Sequence, residues 1–308
     1  MSNWGKGVIN NIGWGQGANN DIGWGSIYDK SNAEETLLSG GGFEGFLNKF
    51  SGASLGLSLD LLDSDYTGFC IRVRRSNNDE LDIGFVNNEL DTASLLDFVG
   101  SGNCFVSIWY DQSGEGNNLL QTLASSQPQI VSNGSLILEN GKPCIDFLGS
   151  KFMALDSFQA GEFPYDYITY AVVSQKQLGK NYIYDSSNRH ALTTDGFNFG
   201  DVVNGLIKTV SSGNGVSQNN VLQNGQILIS ALQSEQSTLH INNVDKSDIV
   251  IEGNIDQGSF TDLFLGTRIS ATKIWSGNMQ EIIIFKSGQG QQRIQAQNNI
   301  NARYNNIY

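Results

Sequence analysis

The tract VSIWYDQSGEGNNLLQ (106–121) carries the side chains with the clearest chemical potential in the sequence. The indole of Trp109 can stack on a sugar ring, and the carboxylate of Asp111 with the amides of Gln112 and Asn117 can bond sugar hydroxyl groups. The same residues also fit a structural turn, in which a core aromatic ends a strand and polar side chains bond their own backbone. The tract therefore predicts either a glycan-binding site at these four residues or a structural turn.

Residues that bind metal ions are sparse. No Cys-x-x-Cys pair occurs, and the cysteines and histidines are Cys70, Cys104, Cys144, His190 and His240. A zinc site needs four such ligands at recognisable spacings, so buried free thiols are the simpler expectation. The acidic stretches DLLDSD (60–65) and DKSD (245–248) are candidates for calcium, but neither matches an EF-hand and surface turns explain both. We predict no metal site and no cofactor.

The charge of the chain excludes some partners. Lys and Arg number 18 against 31 Asp and Glu, which gives a net charge of −13. The one tight basic cluster, Arg72 to Arg75, stands close to the acidic residues of 79–82 and is expected to pair with them. We therefore predict no binding to nucleic acid.

The sequence also lacks membrane signals. It has no apolar run of about 18 residues and no basic start followed by an apolar segment. Such a protein is expected either in the cytosol or outside the cell as part of a particle, with no membrane contact.

A repeat occupies the N-terminus. A Trp-Gly dipeptide begins at Trp4, Trp14 and Trp24, and the tetrapeptide Ile-Gly-Trp-Gly begins at Ile12 and Ile22. The tryptophans are ten residues apart, and because side chains alternate along an extended chain, an even spacing puts all three indoles on the same side. The glycines of the repeat disfavour a helix. Exposed tryptophans at fixed spacing need a surface that buries them. The repeat predicts an extended arm that attaches the protein to a partner through these three tryptophans and two isoleucines. The alternative is that the arm folds back over the rest of the chain as a clasp.

The elements that must position these residues are mostly short strands. Residues 90–100 form a helix pattern that Asp91 or Thr92 caps and Gly100 ends, and residues 296–307 form an amphipathic terminal helix. The stretch SLGLSLDLL (54–62) fits a short helix or a strand. Apolar segments between Gly, Asn and Asp turns recur from residue 67 onward, as in an antiparallel sandwich or jelly roll: TGFCIRVRR, CFVSIWYDQ, YDYITYAVVSQ, NYIYDSS, GLIKTVSS, NGQILISALQ, STLHINN, DIVIEGN, TDLFLGT and MQEIIIFKS.

Three stretches resemble known families. The tracts 66–85, 90–103 and 106–121 resemble the N-terminal part of the α-L-arabinofuranosidase B catalytic domain, glycoside hydrolase family 54. The tract LFLGTRISATKIWSGNMQEIIIF (263–285) resembles the closing strands of concanavalin A-like, laminin-G-like jelly rolls. The Ile-Gly-Trp-Gly arm resembles structural proteins of tailed bacteriophages.

The hydrolase resemblance implies two catalytic carboxyl groups, about 5–5.5 Å apart in a retaining enzyme. Its acid lies in a Gly-Asp-Asn loop, but the corresponding stretch from Gly266 to Ser270 contains no carboxylate. Its nucleophile lies in a Trp-Glu-Asn-Gly context that is missing, and Tyr184 to Ser187 departs from the pattern. We therefore expect no catalytic residues and no enzyme activity.

The combined expectation is an all-β chain with an arm over residues 1–42 and a concanavalin A-like antiparallel β-sandwich over 43–308, closed by a C-terminal helix. The expected function is that of a non-enzymatic surface protein of a phage virion, which could be a head fibre, a capsid decoration protein or a tail adhesin. The arm would bind other virion proteins and the lectin-like domain a host surface polysaccharide, in a homotrimer. The alternatives are an arabinofuranosidase-like hydrolase and a free carbohydrate-binding module.

Overall fold

The computed structural model describes the chain from Gly42 to Tyr308 with gaps. The described residues are 42–155, 157, 167–176, 182–186, 190–193, 207–211, 214–218, 225–233, 238–245, 249–251, 262–267, 274–286 and 292–308. The predicted arm and its five anchoring residues, Trp4, Ile12, Trp14, Ile22 and Trp24, lie outside this part, so its extended form and the boundary at residue 42 stay predictions.

The described elements are strands with three α-helices and one 3-10 turn. The helices are α1 (Phe46–Lys49), α2 (Thr92–Val99) and α3 (Arg293–Arg303), and the 3-10 turn is Ala124–Ser126. The strands are β1 (Ala53–Ser58), β2 (Ile71–Arg75), β3 (Glu80–Ile83), β4 (Phe85–Val86), β5 (Glu89–Leu90), β6 (Cys104–Trp109), β7 (Leu119–Leu120), β8 (Gln129–Ser132), β9 (Ser135–Leu136), β10 (Leu138–Glu139), β11 (Lys142–Pro143), β12 (Ile145–Asp146), β13 (Met153–Leu155), β14 (Tyr167–Gln175), β15 (Tyr182–Asp185), β16 (His190–Thr193), β17 (Ile207–Ser211), β18 (Asn214–Gln218), β19 (Gln226–Gln233), β20 (Thr238–Ile241), β21 (Val244–Asp245), β22 (Ile249–Ile251), β23 (Leu263–Leu265) and β24 (Gly277–Phe285).

A first sheet is centred on the two longest strands, β14 and β24. They pair antiparallel along their whole length, β19 and then β20 follow on the other side of β14, and β1 and β12 share the far edge of β24. Both faces of β14 are covered, so its residues alternate between two apolar clusters. Tyr167, Ala171 and Val173 point to one cluster, and Ile168 and Tyr170 point to the other.

A second sheet faces the first across the larger cluster. Its antiparallel order is β3, β2, β6, β7, β13, β23 and β15, followed by β16, β17, β18 and β22. Trp109, Leu119, Met153 and Leu265 of this sheet are buried in the shared core. The prediction of an all-β antiparallel sandwich is therefore confirmed.

Helices cover the outer face of the first sheet. Ala296, Ile300 and Tyr304 of the C-terminal segment pack with Phe46 and Leu47 of α1 on that face, so the predicted C-terminal helix is confirmed. It ends at Arg303, and Ile307 packs partly buried beyond its end.

In α2 the Asp91 carboxylate caps the helix by accepting a hydrogen bond from the backbone N–H of Ser94 at 3.0 Å.

Three further expectations concern the described residues. Cys70, Cys104 and Cys144 are free and buried, as the sequence predicts. Among the described helices, none has the length and apolar composition needed to cross a bilayer. The ambiguous stretch at residues 54–62 begins as strand β1, because its backbone pairs with β24.

Candidate functional site

The predicted glycan-binding tract lies at the end of β6 and in the loop that follows. Trp109 is completely buried on the inner face of the sheet, and its indole N–H points to the carbonyl oxygen of Ser58 at 3.4 Å. Its ring therefore packs in the core.

The carboxylate of Asp111 organises this loop. It accepts hydrogen bonds from the backbone N–H groups of Gly56, Ser113 and Asn117 at 2.8–2.9 Å and from the Ser113 hydroxyl at 2.7 Å. These four donors come from strand β1 and from the turn itself, so one carboxylate joins two segments that lie 55 residues apart.

The neighbouring amides bond backbone in the same way. Gln112 accepts from the N–H of Leu62 at 2.8 Å and donates to the carbonyl oxygens of Ser58 and Asp60 at 3.1 Å. Asn117 donates to the carbonyl oxygen of Ser54 at 2.7 Å.

The four residues of the tract thus form a structural turn, the alternative that the sequence left open. All four are less than 5% exposed, and glycan binding by them stays a prediction.

A different set of residues lines up on the outer face of the second sheet. The strand registers place one residue from each of seven neighbouring strands opposite the next. Directly opposite residues share a face of the sheet, and neighbouring strands lie about 4.8 Å apart, so the row is about 29 Å long. We call this set the outer row: Asp82, Arg72, Ile108, Leu120, Ala154, Phe264 and Asp185.

One end of the outer row is charged and aromatic. Arg72 donates to both carboxylate oxygens of Asp82, at 2.8 and 2.7 Å, and the Tyr110 hydroxyl donates to Asp82 at 2.7 Å. These bonds hold the pKa of Asp82 below its usual value, chiefly through Arg72. Burial and the Asp82 carboxylate raise the pKa of Tyr110 to about 12. Phe69, about half exposed, lies beside Tyr110 with ring centroids 6.2 Å apart.

The middle of the outer row is apolar and the far end is acidic. Ile108, Ala154 and Phe264 are partly exposed, and Leu120 is 43% exposed. Asp185 ends the row and is only 4% exposed. On the opposite face of the same strand, the Tyr184 hydroxyl lies 2.9 Å from the Thr169 hydroxyl of β14, which links the two sheets.

The outer row cannot supply a pair of catalytic carboxyl groups from its own ends. Asp82 and Asp185 lie about 29 Å apart along it, whereas a retaining glycosidase needs about 5–5.5 Å. Hydrolysis at Asp185 would therefore need a second carboxyl group from another part of the chain.

Carboxyl groups do meet in a buried cluster between β1, β24 and α3. Arg303 donates to both oxygens of the fully buried Glu281 at 2.7 Å, and its guanidinium also lies 3.8 Å from Asp60. Lys142 stands 3.6 Å from Asp60. Burial raises the pKa of Asp60 to about 6, although Arg303 and Lys142 lower it. Sequence patterns missed this cluster because its members lie up to 243 positions apart.

The calcium candidates take other roles. Asp60 faces two cationic side chains, and Asp63 accepts from the backbone N–H of Asp65 and from Asn48 at 2.9 Å. Within the described ranges, no three acidic, His or Cys side chains are grouped as metal ligands. Asp248 lies outside those ranges.

Comparison with known proteins finds solved structures with a similar fold. The sequence matches no protein-family model and no curated protein sequence. Among solved structures, a mutant glycoside hydrolase family 54 α-L-arabinofuranosidase soaked with 4-nitrophenyl α-L-arabinofuranoside matches 80% of this chain at 14% identity and a TM-score of 0.60. An arabinofuranosidase complexed with arabinofuranosyl-α-1,2-xylobiose matches 80% at 15% identity and a TM-score of 0.59. The described sandwich shares the fold of these enzymes.

The match does not extend over the whole of those proteins. The chain spans 62% of the length of both arabinofuranosidases. Domain 4 of a glycoside hydrolase family 43 arabinanase from Geobacillus stearothermophilus, in complex with arabinotriose, matches 77% of this chain at 13% identity, but its TM-score of 0.37 is too low to indicate the same fold.

These comparisons correct one expectation from the sequence. The prediction of a non-enzyme is contradicted, because the fold that covers most of this chain is found in active glycoside hydrolases. The prediction rested on missing local motifs, and catalytic carboxyl groups can stand at other positions of one fold. The resemblance of the tracts 66–85, 90–103 and 106–121 to glycoside hydrolase family 54 is confirmed at the level of fold.

Proposed function

We propose that the sandwich is a carbohydrate-active domain that binds a glycan along the outer row. The observation that carries this proposal is the row itself: a partly exposed apolar band with hydrogen-bonding groups at both ends. Sugar rings present apolar C–H faces and polar hydroxyl edges, so Phe264 and Leu120 would pack on ring faces while Arg72 and Asp82 bond hydroxyl groups. A row about 29 Å long fits an oligosaccharide chain better than a single sugar.

The proposed ligand contains arabinofuranose. The support is the fold shared with two arabinofuranosidases, both solved with arabinofuranosides bound or soaked. Arabinan and arabinoxylan are therefore the first polysaccharides to test, with glucan as the comparison.

Affinity electrophoresis with two matched variants tests this proposal. Leu120→Lys puts a charge into the middle of the apolar band, and Leu138→Lys makes the same change at a leucine that is 52% exposed on β10, outside the row. We expect Leu120→Lys to weaken arabinan binding about tenfold or more and Leu138→Lys to leave it unchanged. Equal retardation of the two variants, or no retardation of the unchanged protein by any glycan, contradicts the proposal.

Hydrolysis of an arabinofuranoside is the second candidate function, supported by the activity named for the structural neighbours. Asp185 is the carboxyl group that the outer row offers for this role, because it ends the row and is 4% exposed. Release of 4-nitrophenol from 4-nitrophenyl α-L-arabinofuranoside is expected to fall at least 100-fold in Asp185→Asn, on the order of a lost acid–base group. The matched variant Asp63→Asn is expected to keep full activity. Activity that survives in Asp185→Asn excludes this residue.

We further propose that the arm attaches the domain to a phage virion, where a homotrimer would display it toward a host polysaccharide. The support is the decad repeat of Trp4, Trp14 and Trp24 with Ile12 and Ile22, because regularly spaced indoles bury large areas on a partner. The acidic chain makes nucleic acid an unfavourable partner, and no membrane partner is proposed.

Single Trp→Ala changes in the full chain test the arm. Each change is expected to lower incorporation into virions stepwise, with a loss of about 2 kcal/mol per buried anchor. Trp→Phe at the same positions serves as the control that keeps an aromatic ring. Incorporation that is unaffected by the triple Trp→Ala variant would refute attachment through these residues.

A further inference from the structure

A second row of polar residues lies on the other sheet, beneath the C-terminal helix. Tyr170 of β14 stands opposite Ser230 of β19, which stands opposite His240 of β20. Opposite residues share a face, and Tyr170 packs in the cluster on the helix side of the sheet, so all three point toward α3. Helix α3 adds Gln297, which is completely buried.

Four polar atoms in this region are buried without a hydrogen-bond partner. Across the described part of the chain, no group bonds the Tyr170 hydroxyl, the Ser230 hydroxyl, Nδ1 of His240 or Nε2 of Gln297. Buried polar groups are otherwise almost always bonded, and a group left without a partner costs free energy. Four such atoms beneath α3 therefore leave hydrogen-bonding capacity for a bound species.

Arg293 lies beside Gln297 and brings a positive charge to this region. Its guanidinium donates to Oδ1 of Asn243 at 3.2 Å and contacts the side-chain oxygen of Gln297. Its positive charge lowers the pKa of both Tyr170 and His240, in each case after the larger effect of burial, which raises the first and lowers the second. No carboxylate of the described residues forms an ion pair with Arg293.

The available groups are mainly donors, apart from the carboxylate of Asp245, which stands opposite His240 on β21 and raises the pKa of His240. Arg293 and the Gln297 amide nitrogen donate only, the two hydroxyl groups can donate, and a neutral imidazole donates from one nitrogen. Arg293 also occupies the first turn of α3, where the backbone favours negative charge. Arg293 itself is only half-buried, so the site has an edge that solvent reaches.

We propose that Arg293, Gln297, Tyr170, Ser230 and His240 form a binding site for a small oxyanion such as phosphate or sulfate. A tetrahedral oxyanion has several acceptor oxygens, which can accept hydrogen bonds from the half-buried Arg293 guanidinium and from the hydroxyl and amide donors at the same time. A water molecule would satisfy two to four of these atoms but would leave the guanidinium without a counter-charge. This site lies on the first sheet and is independent of the outer row.

Thermal unfolding and calorimetric titration of the full chain test the site. Sodium phosphate and sodium sulfate are compared with sodium chloride at equal ionic strength, because an ion that binds the folded state raises the melting temperature with its concentration. We expect this rise in the unchanged protein. In Arg293→Gln the dissociation constant for phosphate is expected to increase about tenfold or more, and in Ser230→Ala by a smaller factor.

Arg75→Gln is the control variant. It removes the same charge from a partly exposed arginine of β2 that pairs with Asp79, so this variant is expected to respond to phosphate like the unchanged protein. Sulfate stabilises many proteins without a site, and such a general effect would appear equally in Arg293→Gln. Equal responses of the unchanged protein and Arg293→Gln overturn the proposal, as does a crystal grown in phosphate that shows only water between these five residues.

Discussion

Asp111 shows how a single buried carboxylate can stabilise a long-range connection. Its four hydrogen bonds join the turn after β6 to strand β1. Acceptor oxygens that carry a charge form stronger bonds than neutral ones, and all four partners here are donors. The residue therefore belongs to the framework of the sandwich, on the opposite side of β6 from the residues of the outer row.

Asp111→Asn is expected to destabilise the domain. The amide replaces one acceptor oxygen with a donor, which then faces the donors that the carboxylate satisfied, so a loss of about 3 kcal/mol in the free energy of unfolding is expected. Urea denaturation measures it. Glu115→Gln, an exposed change in the same loop, is expected to alter stability by less than about 0.5 kcal/mol. Equal midpoints for the two variants would show that the Asp111 bonds are not important for stability.

Asp60 is expected to make the stability of the domain depend on pH. Its pKa in the folded protein is raised to about 6 from 3.8, so its contribution is fully present below pH 4 and is lost as the pH rises through 6. In Asp60→Asn this dependence disappears. The stability of the variant relative to the unchanged protein is thus expected to increase between pH 4 and pH 7, by about 3 kcal/mol at most. A constant difference across this range would mean that Asp60 has an ordinary pKa.

At this scale the sequence predicted residue types better than their roles. It singled out Trp109, Asp111, Gln112 and Asn117 from one tract, and the tract could be interpreted as a binding site or as a turn. The choice depends on whether the Gly56 N–H of β1 bonds Asp111, and Gly56 lies 55 residues away in the sequence. No local pattern contains that information.

At the scale of elements, an ion pair with a buried carboxylate adds to the apolar packing that holds α3 on the first sheet. Arg303 bonds both oxygens of Glu281, while Ser58 donates to one of the same oxygens at 2.8 Å. The pair therefore connects a helix end to two strands. Its loss would leave a charge in a place that water does not reach, because Glu281 is fully buried.

Arg303→Met is expected to destabilise the domain by about 3–5 kcal/mol, because it leaves the Glu281 carboxylate buried without its cation. The double change Glu281→Gln and Arg303→Met is expected to recover part of this loss, because it removes the unpaired charge as well. Chemical denaturation of the two single variants and the double variant gives the coupling free energy. Additive effects would show that the pair contributes nothing as a pair.

The sequence also predicted which segments form strands better than it predicted how those strands pair. The alternation in residues 71–75 and the long apolar segments at 167–175 and 277–285 all became strands. The outer row was not predictable, because it depends on the registers of seven strands, and a slip of one residue in any of them would turn its side chain to the other face. Three-dimensional register is set by contacts between distant strands.

At the scale of the whole molecule, residues 44–308 form one compact unit. The apolar core of the described residues begins at Phe46. Deletion of residues 1–38 is therefore expected to leave the melting temperature within about 2 °C of that of the full chain, on the order of a change below 1 kcal/mol. Circular dichroism during heating measures it. A clear drop in melting temperature would support the alternative, in which the arm clasps the sandwich.

Fold and function separate at this scale. Two arabinofuranosidases share the sandwich at 14–15% identity, so the architecture persists while most side chains differ. The sequence tracts that resemble glycoside hydrolase family 54 therefore identified the fold. The chemistry of such a domain depends on a few positions of a common scaffold.

The pairing of β1 with β24 has a consequence for biosynthesis. Ser58 and Glu281, which bond across these strands, are separated by 223 residues. A ribosome that adds about 5–20 residues each second needs about 10–45 s to cover that distance, during which β1 waits for the strand that completes its sheet. The nascent chain therefore depends on solubility, or on a chaperone, until its last strand emerges. During that interval, before the native core is complete, the negative charge and the many polar turn residues of the chain favour its solubility.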